Sequence, residues 1–315
     1  MSREEELTLA LRKALGLGAE SEDAEAIPYL GKHLVATTDM LNEGSDFPPG
    51  MPYDAIGWNA VAANLSDIAA AGAKPLGLLM ACGFPRNMPE EGIRKIAGGM
   101  AKCAKAHRTR VLGGDLNETE GVVLTGTAFG VARFPLRRAG AKPGDMLVLT
   151  GPLGASAAGY LIYWSKKEKK TPAEEKILNR FNYPLARTGL MSELNSKGLV
   201  NSATDISDGL AASVHNICRE SGAGALVEYM GIPLFEGFEE YCQKSGKAPL
   251  ELLNLGADYE ILASMPQECF SAARNIARRH GGELYEIGTV LKKDVLIEKD
   301  GRVAPFPKTG FAHFE

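Results

Sequence analysis

Strand-like and helix-like apolar patterns alternate along most of this chain, and this alternation limits the folds open to it. Short apolar and β-branched runs such as KHLVATTDML and LGLLMACGF are followed by segments in which apolar residues recur three and four positions apart. The chain has 315 residues, about twice the length of a typical domain. We therefore predict an α/β (α+β) protein with two domains.

The alternation restarts after a connection that contains Gly and Pro. In RRAGAKPGDMLVLTG this connection leads into a new strand. We place the domain boundary near residue 136, which gives an N-terminal domain over residues 1-136 and a C-terminal domain over residues 137-315.

Composition and charge exclude several classes of protein. The formal net charge of −4 provides no broad basic field, which argues against binding to nucleic acid. No apolar run reaches the ~18 residues that a membrane-spanning helix needs. The 5 cysteines are odd in number and widely spread, and none stands in a CxxC pair. We expect a cytoplasmic protein with small-molecule partners, neither membrane-bound nor disulfide-linked.

Six aspartates stand in five short motifs beside small residues. They are Asp23 in SEDAEAI, Asp39 in VATTDML, Asp67 in AANLSDIAAAGA, Asp115 in VLGGDLNE, and Asp205 and Asp208 in ATDISDGL. All but Asp67 are predicted at strand ends or in loops. Asp67 lies in a helix predicted over residues 53–71, on a face of small residues that a ligand or a neighbouring chain can approach closely.

The DISDG motif is predicted to join a strand to a helix. Asp205 would end the strand, and Asp208 would be the N-cap of a helix that Gly209 opens. Each aspartate taken alone is typical of a solvent-facing or capping residue. Several carboxylates that converge would repel one another unless divalent cations lie between them. Ligation by oxygen alone suits Mg²⁺, and substrate phosphates usually complete its coordination. The partner indicated is therefore a nucleoside triphosphate.

Familiar phosphate loops and nucleophile motifs are absent from the sequence. There is no GxxxxGK[ST] loop, the TGPLGAS segment has no lysine, and no GxSxG elbow occurs. The 5 histidines are scattered, and the cysteines lie in apolar or helical runs. We therefore expect metal-assisted chemistry with no covalent catalytic nucleophile.

The motifs TTDML, NLSDIAAAGAKP, GGD, RRAGAKPGD, TDISDGL and GADYEIL occur in this order over nearly the whole chain. Together they resemble the thiamine-monophosphate kinase family of the AIR-synthetase-like (PurM-like) superfamily. EGSDFPPGMPYDAIG and GGDLNE resemble the archaeal members more than the bacterial ones.

The resemblance implies a two-domain PurM-like fold whose N-terminal domains pair in a homodimer, with ATP and several Mg²⁺ ions in a cleft near the interface. The implied reaction is direct in-line transfer of the γ-phosphoryl group of ATP to thiamine monophosphate, which gives thiamine diphosphate. The implied metal ligands are Asp23, Thr38, Asp39, Asp67, Asp115, Asp205 and Asp208. The implied ATP contacts are Gly114, Asp115, Arg138 and Ser207, and the implied substrate contacts are Asp46, Asp258 and Phe311.

Three positions depart from the family pattern. Glu22 replaces the first Asp of GDDAA, Asp46 replaces a substrate-contacting His, and Ala257 replaces the Glu of GGEDYEL. Two alternatives therefore stay open. One is another PurM-like ATP-dependent enzyme, either AIR-synthetase-like or a kinase with a different acceptor, and the other is an inactive nucleotide-binding scaffold.

Overall fold

The computed structural model of the chain describes residues 3–17, 22–166 and 168–313, with the side chain of residue 5 excepted. Its N-terminal half forms one mixed sheet with helices. The elements of this half are α1 (Arg3–Ala14), β1 (Glu25–Tyr29), β2 (Lys32–Asn42), α2 (Tyr53–Ala70), β3 (Lys74–Phe84), α3 (Glu90–Ala106), β4 (Val111–Glu118) and β5 (Val123–Ala132).

The first sheet has the strand order β1-β2-β5-β3-β4. Only the β3–β4 pair is parallel among its described strands. Along β5, buried and half-buried residues alternate strictly, because successive side chains of a strand point to opposite faces. Helices α2 and α3 pack against the buried face. The other face is left open in the described chain.

The C-terminal half forms a seven-stranded sheet in the order β12-β11-β8-β10-β6-β9-β7. Its strands are β6 (Met146–Leu149), β7 (Ser202–Asp205), β8 (Gly224–Glu228), β9 (Ile261–Met265), β10 (Tyr285–Leu291), β11 (Val295–Lys299) and β12 (Arg302–Pro305). Its helices are α4 (Ala155–Trp164), α5 (Pro172–Asn182), α6 (Thr188–Ser196), α7 (Leu210–Ser221), α8 (Phe238–Ser245), α9 (Pro249–Leu253) and α10 (Phe270–Arg279).

Helices cover both faces of this second sheet. In β6, Leu147 and Leu149 point into a core with α4, α5 and α7. Met146 and Val148 point into a second core with α6 and α10. A strand buried on both sides has no solvent face, which explains the uninterrupted apolar run MLVL. The two-domain α/β fold class predicted from the alternation is confirmed.

Helix α2 is buried on almost its whole circumference. One side packs on the first sheet, while its C-terminal end, at Ala69 and Ala70, belongs to a core of the second half. At its N-terminal end a Cβ on Gly57 would lie 1.9 Å from the carbonyl oxygen of Ile96 in α3, so glycine is required there. This central helix places its side chains within reach of both halves.

Several element predictions need correction. Strand β2 continues through Asp39 to Asn42, whereas the sequence predicted that it ends at Asp39. Strand β4 contains the GGD motif, which was predicted at a strand end or in a loop; its Gly, Asp and Asn residues are poor strand formers. The boundary near residue 136 stays a prediction: the first sheet's last strand ends at Ala132, and the second sheet's first strand begins at Met146. No helix among the described residues has the length and apolar character needed to cross a bilayer.

Candidate active site

Three of the six motif aspartates meet between the two halves of the chain. Asp23 precedes β1, Asp67 lies in the last turn of α2, and Asp205 ends β7 as predicted. One carboxylate oxygen from each lies within 4.8 Å of the others. Among the described residues, this is the group of acidic, His or Cys side chains that comes close enough to share a metal ion. We call these three residues the carboxylate cluster.

Hydroxyl groups surround the carboxylate cluster and donate to it. Only Ser207 among them was predicted as a site residue, although each stands within two positions of a motif aspartate. The bonds run from Thr37 to Asp67 (2.5 Å), from Ser66 to Asp205 (2.6 Å), from Ser207 to Asp205 (2.8 Å) and from Thr204 to Asp23 (3.0 Å). Ser66, on α2, thereby links the first half to the end of β7.

Asp39 extends the cluster along β2. Its side chain and that of Thr37 point to the same face, towards α2, and the Asp39 carboxyl lies in hydrogen-bond range of Asp67. The Asn64 side chain accepts the backbone N–H of Asp39 at 3.2 Å. A Cβ on Gly126 would lie 2.2 Å from the Asn64 amide nitrogen, so the neighbouring strand needs glycine here. The small-residue face of α2 is thus approached closely, by β2 and β5.

Burial and mutual repulsion raise the pKa values of the aspartates in this region. Burial raises the pKa of Asp67 well above its usual range, and the charges of Asp39, Asp205 and Asp23 raise it further. Burial, together with the charge of Asp23, raises the pKa of Asp205 to about 7. Burial also raises the pKa of Asp39. These acids hold protons at a pH where ordinary aspartates are ionised, which indicates a site with too little positive charge to balance its carboxylates.

Arg138 is the cation that contacts the cluster. Its guanidinium donates to Asp23 from Nη2 at 2.6 Å and from Nε at 3.2 Å. Burial alone would lower the pKa of Arg138, but the charge and hydrogen bond of Asp23 raise it. The backbone N–H of Arg138 donates to Glu22 at 2.8 Å. Glu22, which departs from the family pattern, thus accepts a backbone N–H beside the cluster with its carboxylate. Burial raises the pKa of this carboxyl group.

Thr38, Gly114 and Asp115 lie outside the carboxylate cluster. Thr38 is next to Asp39 in β2, so its side chain points to the opposite, open face and donates to the carbonyl of Gly126 at 2.7 Å. Asp115 is exposed on β4, three strands from β2, which corresponds to about 14 Å. A Cβ on Gly114 would lie 1.7 Å from the Met80 carbonyl oxygen, so this glycine permits the close β3–β4 pairing.

Asp208 and Phe311 lie together at the edge of the site. The backbone N–H of Phe311 donates to the Asp208 carbonyl at 3.0 Å, and the Phe311 ring packs edge-on against His313 at 4.9 Å. The side chain of Asp208 is exposed. Its predicted capping role is wrong, because Gly209, with φ of 100°, is the N-cap of α7, and the side chain of Asn254 accepts the N–H of Ala211 in the first turn at 3.0 Å. Asp208 is therefore left available to a ligand.

The two other implied substrate residues serve local structure in this chain. Asp46 accepts the backbone N–H of Asn42 at 2.9 Å and the hydroxyl of Ser45 at 2.7 Å, which closes the turn after β2. Asp258 accepts the N–H groups of Gly154 at 2.8 Å and Ser156 at 3.1 Å. Burial raises the pKa of Asp258 to about 6 against the opposite effect of these two donors. Asp258 thus caps the N-terminus of α4 from a distant part of the chain.

Two family models match this chain, one for each half. The model described as AIR synthase related protein, N-terminal domain, matches residues 21–132. The model described as AIR synthase related protein, C-terminal domain, matches residues 142–300. Together they cover the first sheet, the second sheet except for β12, and the carboxylate cluster.

Curated relatives match over nearly their full length. The thiamine-monophosphate kinase of Methanospirillum hungatei is 33% identical over 96% of this chain and 96% of its own. The thiamine-monophosphate kinase of Pyrococcus horikoshii is 32% identical over 99% of this chain and 96% of its own. Among solved structures, the Aquifex aeolicus protein AaThiL complexed with AMPPCP and TMP has a TM-score of 0.88 at 28% identity, over 98% of this chain and 96% of that one.

Proposed function

The chain belongs to the thiamine-monophosphate kinase family, and from this premise we propose that it transfers the γ-phosphoryl group of ATP to thiamine monophosphate, giving thiamine diphosphate. The observation that carries the proposal is the convergence of Asp23, Asp67 and Asp205 within 4.8 Å at the junction of the two halves. A related structure with an ATP analogue and TMP supports the same pair of substrates.

The donor set of the cluster fits Mg²⁺. It consists of carboxylate oxygens, which Mg²⁺ prefers over nitrogen and sulfur ligands. The raised pKa values of Asp67 and Asp205 follow from burial and like charge, and divalent cations would relieve both effects. We propose Asp23, Asp39, Asp67 and Asp205 as metal ligands, with the exposed Asp208 at the edge of the same site. Bound Mg²⁺ would neutralise the phosphates of the two anionic substrates.

The residues of the chain position the reactants. The phosphate of thiamine monophosphate is itself a nucleophile, so in-line transfer needs no covalent enzyme intermediate. The hydroxyls that donate to the cluster hold the carboxylates in fixed orientations, and a preorganised site lowers the barrier by alignment. Arg138, held beside Asp23, is proposed to face the nucleotide phosphates, and Ser207 is proposed to lie next to them.

A second copy of the chain is proposed to cover the open face of the first sheet. This face exposes Met40 (63%) on β2 and Leu79 (42%) on β3, together with Leu112 (51%) beside them on β4. Clustered apolar side chains on an uncovered sheet face are typical of a protein interface. No described strand pairs with the outer edge of β4, and an exposed edge is a template for pairing. We therefore propose a homodimer through this sheet.

The dimer also accounts for the positions of Thr38 and Asp115. Both lie on the open face, on strands that are separated by about 14 Å within one chain. One ion cannot bind both residues of the same chain at that distance. We propose that Asp115 acts at the site of the partner chain, next to its Thr38, so that each site is completed by the other copy.

The enzyme is proposed to work in the cytoplasm. All 5 cysteines are unpaired, among them Cys103, Cys218 and Cys242 in buried positions. A chain with free cysteines and no disulfide suits a reducing compartment.

One assay tests the proposed function. The purified protein is incubated with ATP, MgCl₂ and thiamine monophosphate, and thiamine diphosphate is measured by its fluorescent oxidation product. We expect product that depends on all three additions. Turnover only with another phosphorylated acceptor would indicate a different PurM-like enzyme. Nucleotide binding without any product would refute the kinase function and indicate a scaffold, the alternative suggested by Glu22 and Ala257.

A further inference from the structure

Tyr259 carries a phenol from the C-terminal half into the core of the N-terminal half. Its side chain is 8% exposed and belongs to the core formed by α2, α3 and the first sheet. Its backbone φ of 53° lies in the left-handed region, as does that of Ala257 at 59°. A bulky residue rarely adopts this conformation, and such strain persists only where the surrounding structure enforces it.

The residues on either side of Tyr259 enforce that conformation. Asp258 binds the N-terminus of α4 through Gly154 and Ser156. Glu260, with no exposed surface, accepts the guanidinium of Arg187 at 2.5 Å and 2.7 Å. The side chains of Asp258 and Glu260 are therefore both anchored in the C-terminal half, and Tyr259 between them extends towards the carboxylates.

Backbone bonds tie the same segment to the DISDG motif. The N–H of Ala257 donates to the Ser207 carbonyl at 2.7 Å, and that of Asp258 donates to the Ile206 carbonyl at 3.1 Å. In return, the N–H of Ile206 donates to the Glu260 carbonyl at 2.8 Å. The position of Tyr259 is thus rigidly related to that of Ser207 and the end of β7.

The Tyr259 hydroxyl differs from the other hydroxyls of the site. No hydrogen bond joins it to another residue of the described chain. The hydroxyls beside the carboxylates that do donate to protein acceptors are those of Thr37, Thr38, Ser66, Thr204 and Ser207. Burial raises the pKa of Tyr259 well above its usual range, and the charges of Asp39 and Asp46 add to this, so the phenol stays protonated and remains a donor.

Tyr259 and Arg138 are next to different carboxylates of the site. The guanidinium of Arg138 donates to Asp23, whereas the charges that act most strongly on the Tyr259 phenol are those of Asp39 and Asp46, followed by Asp205 and Asp67. A triphosphate carries more negative charge than a phosphate monoester and is better stabilised next to the guanidinium. We therefore expect the acceptor phosphate to lie on the side of the site that is next to Asp39.

On the basis of the function proposed above, we propose that the Tyr259 hydroxyl donates a hydrogen bond to the phosphate of the acceptor, a phosphate monoester. Tyr259 is then a substrate-binding residue that orients the attacking phosphate oxygen. The strained backbone serves to bring a neutral donor to a site crowded with carboxylates, where a charged lysine or arginine would instead pair with those carboxylates.

Tyr259→Phe tests this proposal because it keeps the ring and removes only the hydroxyl. Titration calorimetry with protein saturated by Mg²⁺ and AMPPCP measures the Kd of thiamine monophosphate without turnover. We expect this Kd, and the KM for thiamine monophosphate, to rise by about 10- to 100-fold, the usual effect of losing a hydrogen bond to a charged group. The Kd of AMPPCP should stay within about 2-fold.

Tyr183→Phe is the matched control, since the Tyr183 hydroxyl donates to Asp54 at 3.0 Å, at the other end of α2. It should leave both affinities unchanged. An unchanged Kd for thiamine monophosphate in Tyr259→Phe would overturn the proposal, as would an equal loss of AMPPCP affinity. So would a lowered melting temperature without a change in affinity, which would assign the hydroxyl a structural role.

The same measurements separate this proposal from the proposed function. Wild-type protein that binds thiamine monophosphate but forms no thiamine diphosphate would refute the kinase activity. The ratio of the Kd values of thiamine monophosphate for Tyr259→Phe and for wild type would still decide the role of Tyr259. Wild-type protein that does not bind thiamine monophosphate would overturn both.

Discussion

Replacing Asp67 by Asn should stabilise the metal-free protein while removing its activity. Asp67 lies within 4.8 Å of Asp23 and Asp205 through one oxygen of each. Two full charges at this distance repel by about 3.5 kcal/mol at an effective dielectric constant of about 20. The raised pKa of Asp67 means that part of this repulsion is already relieved by protonation. We therefore expect a gain of about 1–3 kcal/mol in the free energy of unfolding in EDTA.

The substitution preserves the local contacts of α2. The asparagine side-chain oxygen can still accept the hydroxyl of Thr37, which donates to Asp67 at 2.5 Å. Asp54→Asn is a matched control on the same helix, because Asp54 accepts the Tyr183 hydroxyl and asparagine can accept it as well. This control should change the free energy of unfolding by less than about 0.5 kcal/mol.

Urea unfolding in EDTA and in 10 mM MgCl₂ measures the effect. Mg²⁺ should stabilise the wild-type protein, because a ligand that binds only the folded state raises its stability. It should stabilise Asp67→Asn much less, and thiamine diphosphate formation should fall by at least about 100-fold. The reasoning would be refuted if Asp67→Asn were less stable than wild type in EDTA while Asp54→Asn was unchanged.

Three further predictions concern pH, the dimer and the buried ion pairs. Because the pKa of Asp205 is raised to about 7, the folded state binds more protons than the unfolded state between about pH 4 and pH 7. Metal-free stability should therefore fall as pH rises through this range, and equal urea midpoints at pH 5 and pH 7.5 would contradict the assignment. Asp115→Asn and Asp67→Asn should each be inactive, but subunits of the two variants refolded together should regain activity if Asp115 acts in the partner's site; no recovery would place Asp115 in its own site. Glu260→Gln leaves Arg180 and Arg187, whose side chains are 13% and 18% exposed, without their buried carboxylate, so it should lower the free energy of unfolding by about 3–5 kcal/mol, as measured in urea.

Much of the fold could be predicted from local patterns. The alternation of strand-like and helical segments led to two α/β domains, and α2 and β3 lie where periodicity predicted a helix and a strand. Strand β4 was missed because Gly, Asp and Asn, which are poor strand formers, make up half of VLGGDLNE, and its position depends on pairing with β3, where Gly114 permits close approach. The predicted N-cap at Asp208 failed because Gly209 adopts a backbone conformation that only glycine favours.

The abundance of carboxylates at the site could also be predicted from the sequence. Six aspartates beside small residues, with few basic residues in the same motifs, indicated a magnesium–nucleotide site. The hydroxyl donors other than Ser207 were overlooked, although Thr37, Ser66 and Thr204 each stand directly before a motif residue or aspartate. Neighbouring serines and threonines are a signal that a search for carboxylates alone passes over.

The sequence by itself determined which functional groups are present and which local elements carry them. Only the tertiary structure decided which of those groups meet. Asp23, Asp67 and Asp205 come together because α2 is packed between both halves, whereas Thr38 points away from Asp39 because successive strand residues alternate between faces. Side-chain chemistry is a local property, but the distance between two carboxylates depends on strand order and helix packing, which are set by contacts between residues far apart in the chain.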